Sequence, residues 1–150
     1  AAIDGATLVV LHSDGDRQLL WDDGILADNK ATIVTAGSGV DLVRYAEAPL
    51  PPLSGGLTFL MAAPLTSHSC ADVYAAAAAA VKAKAPSARF LLAGAEVRGN
   101  GRLNPQKLTA GGAVEYLGDL EDVRSAIRDA HVIVHPSASE GMPGIVAEAM

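Results

Sequence analysis

Glu140 and Glu148 stand eight residues apart near the end of the chain, and Gly141-Met142-Pro143-Gly144 follows the first directly. The apolar run from His131 to His135 leads into Pro136-Ser137, so Glu140 is predicted in a loop between a strand and a helix. Such a loop sets a carboxylate beside free backbone N–H groups at the carboxyl end of a strand, where open α/β sheets bind ligands. Glu140 can accept hydrogen bonds from sugar hydroxyls and stabilise positive charge developing at an anomeric carbon. Equally, it can be a glutamate placed at the positive end of a helix dipole. Glu148, roughly two turns into the predicted helix, can grip vicinal hydroxyls such as a ribose diol, or be an ordinary solvated helix position. The Gly141–Gly144 turn can present N–H groups to a sugar or a phosphate, or cap the helix with Pro143 at an early position. Both roles can hold together.

Other groups carry less. Gly37-Ser38-Gly39-Val40-Asp41 can cradle a ligand or simply form a glycine turn ending in an Asp cap. Gly99-Asn100-Gly101 lacks the third glycine of a dinucleotide-binding fingerprint and reads as a loop. His131 and His135 bracket a predicted strand, about 13 Å apart by strand rise, too far to share an ion. His12, His68 and the single cysteine, Cys70, have no partner at ligand spacing, so no metal site and no cofactor are expected. No Gly-x-Ser-x-Gly elbow supports a serine hydrolase.

The elements that must position these residues alternate. Thr7–His12 is a predicted strand, Ser13–Asp16 a turn or cap, and Arg17–Leu26 a helix, followed by a second apolar run at Ala31–Thr35. The stretch 48–56, rich in proline and glycine, reads as a linker. Beyond it come strand Leu57–Ala63, helix Ala71–Ala85, strand Arg89–Ala93 and a short helix near Asn104–Thr109. Strand Val114–Leu117, helix Leu120–Ala130, strand Val132–His135 and a helix from about Pro143 complete the series. The strands are continuous apolar runs, as expected when helices cover both faces of a parallel sheet. Strand–helix alternation with short turns implies an α/β fold, a doubly wound parallel sheet. The alanine run 75–80 reads as a closely packed helix without a functional role.

The chain has 150 residues, half of them hydrophobic, and a net charge of −6 with no basic cluster. That is one globular domain by length, with no nucleic-acid footprint and no membrane-surface patch. No apolar run is long enough to span a bilayer. A single cysteine excludes an internal disulfide. The absence of an initiating methionine, and Met150 falling inside a predicted helix, make a fragment of a longer chain the expectation.

The Glu140-Gly-Met-Pro…Glu148 pattern resembles the E-x7-E motif of the retaining, nucleotide-sugar-dependent glycosyltransferases of family 4. Val9–Asp16, Gly37–Asp41, Asn104-Pro105, Val114–Gly118 and Asp122-Val123 resemble bacterial members that build capsular, exopolysaccharide or lipid-linked glycans, so the likeness covers nearly the whole chain. The resemblance implies a GT-B architecture of two Rossmann-like domains. Residues 1–30 would be the tail of the first domain, 31–56 a hinge and linker, and 57–150 the donor-binding domain, truncated at its end. It implies Glu140 as the catalytic carboxylate facing the donor sugar and Glu148 on the ribose. Gly141, Met142, Pro143 and Gly144 would meet the sugar or diphosphate, with the Tyr116-Leu117 backbone beside the nucleobase. Expected partners are a nucleotide sugar, most commonly a uridine diphosphate sugar, and a glycan or lipid-linked acceptor, with no metal and no nucleic acid. The implied location is cytoplasmic, with any attachment to the inner face of the membrane made through the missing first domain.

One stretch departs from the family. Where its members carry an arginine and then a lysine-glycine pair that hold the donor diphosphate, the alignment places Pro64, Ser69 and Cys70. Loss of two such cations removes several kcal/mol of charge stabilisation. Ser69, with Thr66, Ser67 and a protonated His68, is the expected partial replacement. A non-catalytic nucleotide-sugar-binding or scaffold protein of the same fold therefore stands beside the transferase reading. A GT-B epimerase or hydrolase acting on the donor is a third.

Overall fold

The structure is a computed structural model that describes residues 3–35 and 37–150. Residues 1 and 2 of the expected first-domain tail and residue 36 of the expected hinge lie outside the described residues. By packing the chain forms two compact units. One comprises residues up to Leu42 with Glu140–Glu148 and Met150, and the other comprises Val43–Ser139 with Ala149. The division cuts the 57–150 segment after Ser139.

In the first unit β1 (Val9–Leu11) pairs parallel with β2 (Thr32–Val34), joined by α1 (Asp14–Asp22). Ser13 caps α1, its side chain accepting from the Asp16 amide at 3.0 Å. Asp14 and Asp16 place negative charge in the first turn, favourable to the helix dipole. The helix stops at Asp22, short of the predicted Leu26, because Gly24 takes a positive φ and the amides of Ile25 and Leu26 fold back onto the Leu20 carbonyl. That return seats Leu26 as a buried anchor.

The second unit carries a four-stranded parallel sheet in the order β5-β4-β3-β6. Its strands are β3 (Thr58–Ala62), β4 (Arg89–Ala93), β5 (Glu115–Gly118) and β6 (Val132–Ile133). Between them run α2 (Ala71–Lys82), α3 (Pro105–Thr109) and α4 (Arg124–Arg128). Side chains alternate across a strand, so β3 and β4 present two apolar faces. Met61, Phe90 and Leu92 pack with Tyr74 and Ala78 of α2 on one face. Leu60, Leu91 and Ala93 pack with Ala126 of α4 on the other. Helices on opposite faces make this a doubly wound sheet, as the apolar runs imply. Phe59 and Phe90 stack at 4.7 Å and Tyr74 meets Phe90 edge-on at 5.9 Å. The Tyr74 hydroxyl reaches the carbonyls of Leu91 (3.0 Å) and Phe59 (3.1 Å), tying α2 to the sheet, and burial pushes its pKa far up.

In the second unit α4 and β6 are about half as long as predicted. α4 begins at Arg124 because Gly118 turns the chain with a positive φ, and the Asp122 side chain then accepts the Arg124 amide. β6 is two residues long: it pairs only with β3, and Pro136 has no N–H to extend the ladder.

Candidate functional site

Strand order reverses between β3 and β6. The chain leaves β3 towards β4 and β5, then returns to β3's other side, and crevices at such reversals bind ligands beyond the carboxyl ends of the strands. Two loops leave the sheet there, Ala63–Cys70 and Val134–Ser139. The His68 carbonyl joins them, accepting from the Ala138 amide at 3.0 Å and the Ser137 hydroxyl at 3.2 Å.

Ser67–Ser69 forms a 3-10 turn capped by Thr66, whose side chain accepts from the Ser69 amide. Ser69, expected among the donor-binding groups, is only 7 % exposed, and its hydroxyl donates inward to the Thr66 carbonyl at 2.8 Å. Its proton is committed to the backbone, so Ser69 holds the turn from which the exposed Ser67 and His68 project. Cys70, which stands where the alignment expects glycine, takes the left-handed conformation that glycine favours (φ 54°). Pro64 is exposed, and no lysine or arginine occurs in 63–70. The Gly99–Leu103 loop braces this segment, with the Ser67 amide on the Gly101 carbonyl and the Leu103 amide on the Leu65 carbonyl.

Tyr116 and Leu117 lie on β5 at the sheet edge, where half of the backbone N–H and C=O groups face away from β4. The Tyr116 hydroxyl donates to the Gly94 carbonyl at 2.8 Å. Its pKa is raised by partial burial, then by the charges of Glu96 and Asp119. The Leu117 side chain packs against the core on the α4 side.

The glutamate pair belongs to the first unit. Glu140 is exposed in the loop, and α5 (Gly144–Ala149) carries Glu148, half-buried, in its second turn. Pro143 is the cap residue with extended ψ of 120°, not a member of the helix, and no side chain caps α5. Gly141 packs against the start of α1: a β-carbon there would lie 2.9 Å from Asp16 Oδ2 and 3.8 Å from the His12 β-carbon. Met142 packs on Gly37, where a β-carbon would fall 2.5 Å from Met142 Cγ and where φ is +77°. The Gly37 loop and the glutamate loop therefore interlock at Gly37, where a side chain is excluded, whereas at Gly141 only the flexible end of Asp16 would have to move.

His12 and Thr35, not singled out from sequence as a pair, follow the paired strands β1 and β2, and His12 Nδ1 lies 3.2 Å from Thr35 Oγ1. The available signal was positional: residues that end two neighbouring parallel strands in register lie side by side. A surface cleft of about 570 Å³ between α2 and α3, lined by Asp72, Arg102, Asn104 and Lys107 among others, contains none of the predicted residues. Among the described residues no helix is long and apolar enough to cross a membrane, and no group of three metal-ligating side chains converges.

Residues 56–150 match the family described as glycosyl transferases group 1, and the chain belongs to that family. Solved structures define the fold further as that of GT-B glycosyltransferases. The pneumococcal O-GlcNAc transferase GtfA, in complex with UDP and GlcNAc, superposes with a TM-score of 0.71 at 16% identity, over 97% of this chain and 28% of its own. TarM does so at 0.74 and 14% identity, over 98% and 28%. The trehalose-6-phosphate synthase OtsA gives 0.70 at 16% identity, over 95% and 42%. This chain thus spans between 28% and 42% of the length of these structures. No curated protein matches it.

Proposed function

We propose that the protein transfers a sugar from a nucleoside diphosphate sugar, with UDP as the nucleotide, to a glycan or lipid-linked acceptor, with retention of anomeric configuration. The observation that carries this reading is the loop-and-helix arrangement of Glu140 and Glu148 in a chain of the glycosyl transferases group 1 family. Two similar structures, GtfA with UDP and GlcNAc and one described as trehalose-6-phosphate from E. coli bound with UDP-2-fluoro glucose, support the choice of nucleotide.

In this reading residues 57–150 form the donor-binding domain and 31–56 the hinge. The Glu140 carboxylate stabilises positive charge as the bond between the anomeric carbon and the phosphate oxygen breaks. The acceptor oxygen bonds to the same face of that carbon, and its proton passes to the departing diphosphate. Glu148 accepts both ribose hydroxyls. The N–H groups of Gly141–Gly144 meet the hexose or the diphosphate, and the outward backbone of Tyr116-Leu117 meets the base. Ser69 enters as the support of the Ser67–His68 turn. No metal or cofactor takes part. The protein acts in the cytoplasm, at the membrane face when the acceptor is lipid-linked.

The missing cations in 63–70 favour a second reading, a nucleotide-sugar-binding or scaffold protein without catalysis. Incubating the full-length protein with UDP-sugars and candidate glycan acceptors, and following UDP release with proton NMR of the product's anomeric centre, separates the two. Transfer with the donor's anomeric coupling preserved is the expected result. UDP-sugar binding without product would leave the scaffold reading standing.

A further inference from the structure

The cleft of about 570 Å³ between α2 and α3 lies wholly within the second unit, whereas Glu140 and Glu148 belong to the first. Its two walls differ in charge. Asp72 and Ala75 of α2 form one, and Arg102, Leu103, Lys107 and Leu108 form the other. Ala75 begins the alanine run, and its small side chain leaves volume that a larger one would take from the cleft. The backbone of the cationic wall is held in place. Arg102 bridges Thr66, flanked by bonds from the Ser67 amide to the Gly101 carbonyl and from the Leu103 amide to the Leu65 carbonyl. α3 is fixed by the buried Pro105 and by Asn104, whose side chain accepts the Lys107 amide at 3.1 Å. Arg17, Arg89 and Arg124 pair with Asp14, Glu115 and Asp122. Among the described residues, the side chains of Arg102, Lys107 and Asp72 form no ion pair or hydrogen bond. Two uncommitted cations against one carboxylate make this cleft net positive in a chain of charge −6.

We propose that this cleft binds a phosphorylated monosaccharide: Arg102 and Lys107 hold the phosphate, and Asp72 accepts from the sugar hydroxyls. An arginine and a lysine together suit a phosphate dianion, the guanidinium by its planar fork and the ammonium as a point charge. Asp72 argues against a bare anion, which it would repel, and for a ligand that presents hydrogen-bond donors away from its charge. Leu103 and Leu108, both packed on the core, supply an apolar floor for the C–H face of the ring. The cleft volume is of the order found for small-molecule sites.

The test is calorimetric titration of the full-length protein with ribose 5-phosphate and fructose 6-phosphate, with inorganic phosphate and ribose as controls. At least one sugar phosphate is expected to bind about tenfold more tightly than inorganic phosphate, and more weakly as salt rises. Arg102→Gln and Lys107→Gln should each weaken it about tenfold. Both residues are exposed, so the urea midpoint should not move. Asp72→Asn supplies a readout that loss of charge alone does not: the sugar phosphate weakens while inorganic phosphate tightens, so the preference between them collapses. No binding of either sugar phosphate, or inorganic phosphate binding the wild type as tightly, overturns the proposal. Binding that survives both cation variants but is lost in Glu148→Ala places the ligand with the glutamate pair and overturns it equally.

Discussion

The Ser137 hydroxyl donates to the backbone carbonyl of His68 at 3.2 Å, across 69 residues of sequence. With the Ala138 amide on the same oxygen, that contact ties together the loops that leave β3 and β6 at the reversal of strand order. If those loops frame the donor site, the bond shapes binding more than folding. Ser137→Ala is expected to weaken UDP binding about 2- to 10-fold, the equivalent of one ordinary hydrogen bond, with little change in the urea midpoint. Calorimetry and urea titration on the same sample separate the two effects.

Gly37 and Gly39 have nearly the same backbone conformation, φ +77° and +76°, yet different surroundings. A β-carbon on Gly39 meets nothing within 4 Å, whereas one on Gly37 runs into Met142. Alanine at either position meets about 1–2 kcal/mol of left-handed strain. Gly37→Ala is expected to lose about 1–3 kcal/mol beyond Gly39→Ala, from overpacking. Adding Met142→Ala should recover most of that difference in urea denaturation. Equal losses in the two single variants would contradict the interlock.

Stability should fall in alkali. Burial raises the pKa of Tyr74 in the folded state, and burial with Glu96 and Asp119 raises that of Tyr116. The unfolded chain then gives up phenolic protons first, near the ordinary value of about 10, and binds fewer protons than the native state above it. Stability is therefore intact below about pH 10 and declines as pH rises beyond it. Tyr74→Phe should flatten this decline, at a loss of about 1 kcal/mol at neutral pH from the missing hydrogen bond. Urea midpoints measured from pH 8 to 11 check the sign.

Pro64 and Ser69, where the family resemblance leads one to expect cations, should respond differently to substitution by them. Pro64 is exposed, so Pro64→Arg is expected to leave stability within about 0.5 kcal/mol. It should tighten UDP about tenfold while leaving uridine unchanged, because the new charge meets phosphate alone. Ser69→Lys removes a buried hydroxyl that serves the Thr66 carbonyl, and should cost about 1–3 kcal/mol of stability. Paired urea and calorimetric titrations of the single variants distinguish these outcomes.

Much of this was readable in the chain because local signals agreed with the fold. β4 falls on Arg89–Ala93 as predicted, since the four successive apolar residues Phe90–Ala93, buried on both faces, have no competing period. Ser13 and Asn104 cap helices where their types suggest, each accepting an amide three residues on. The ends of α4 and β6 were not readable, because the Asp122 side chain and a single neighbouring strand set them. At the site, the Glu140–Gly144 loop is visible as a pattern within one short segment. The inward turn of the Ser69 hydroxyl is not, since a serine in a loop reads the same whether it donates to solvent or to its own turn. His12 and Thr35 meet only through the register of β1 against β2, which no local window contains.

The most direct measurement is calorimetric titration of UDP into the full-length protein and into its Glu148→Ala variant. Binding by the wild type that weakens about 10- to 100-fold in the variant, as expected for loss of a carboxylate holding a ribose diol, is the predicted result. No binding by the wild type, or equal affinity in both proteins, would contradict the donor site at the glutamate pair.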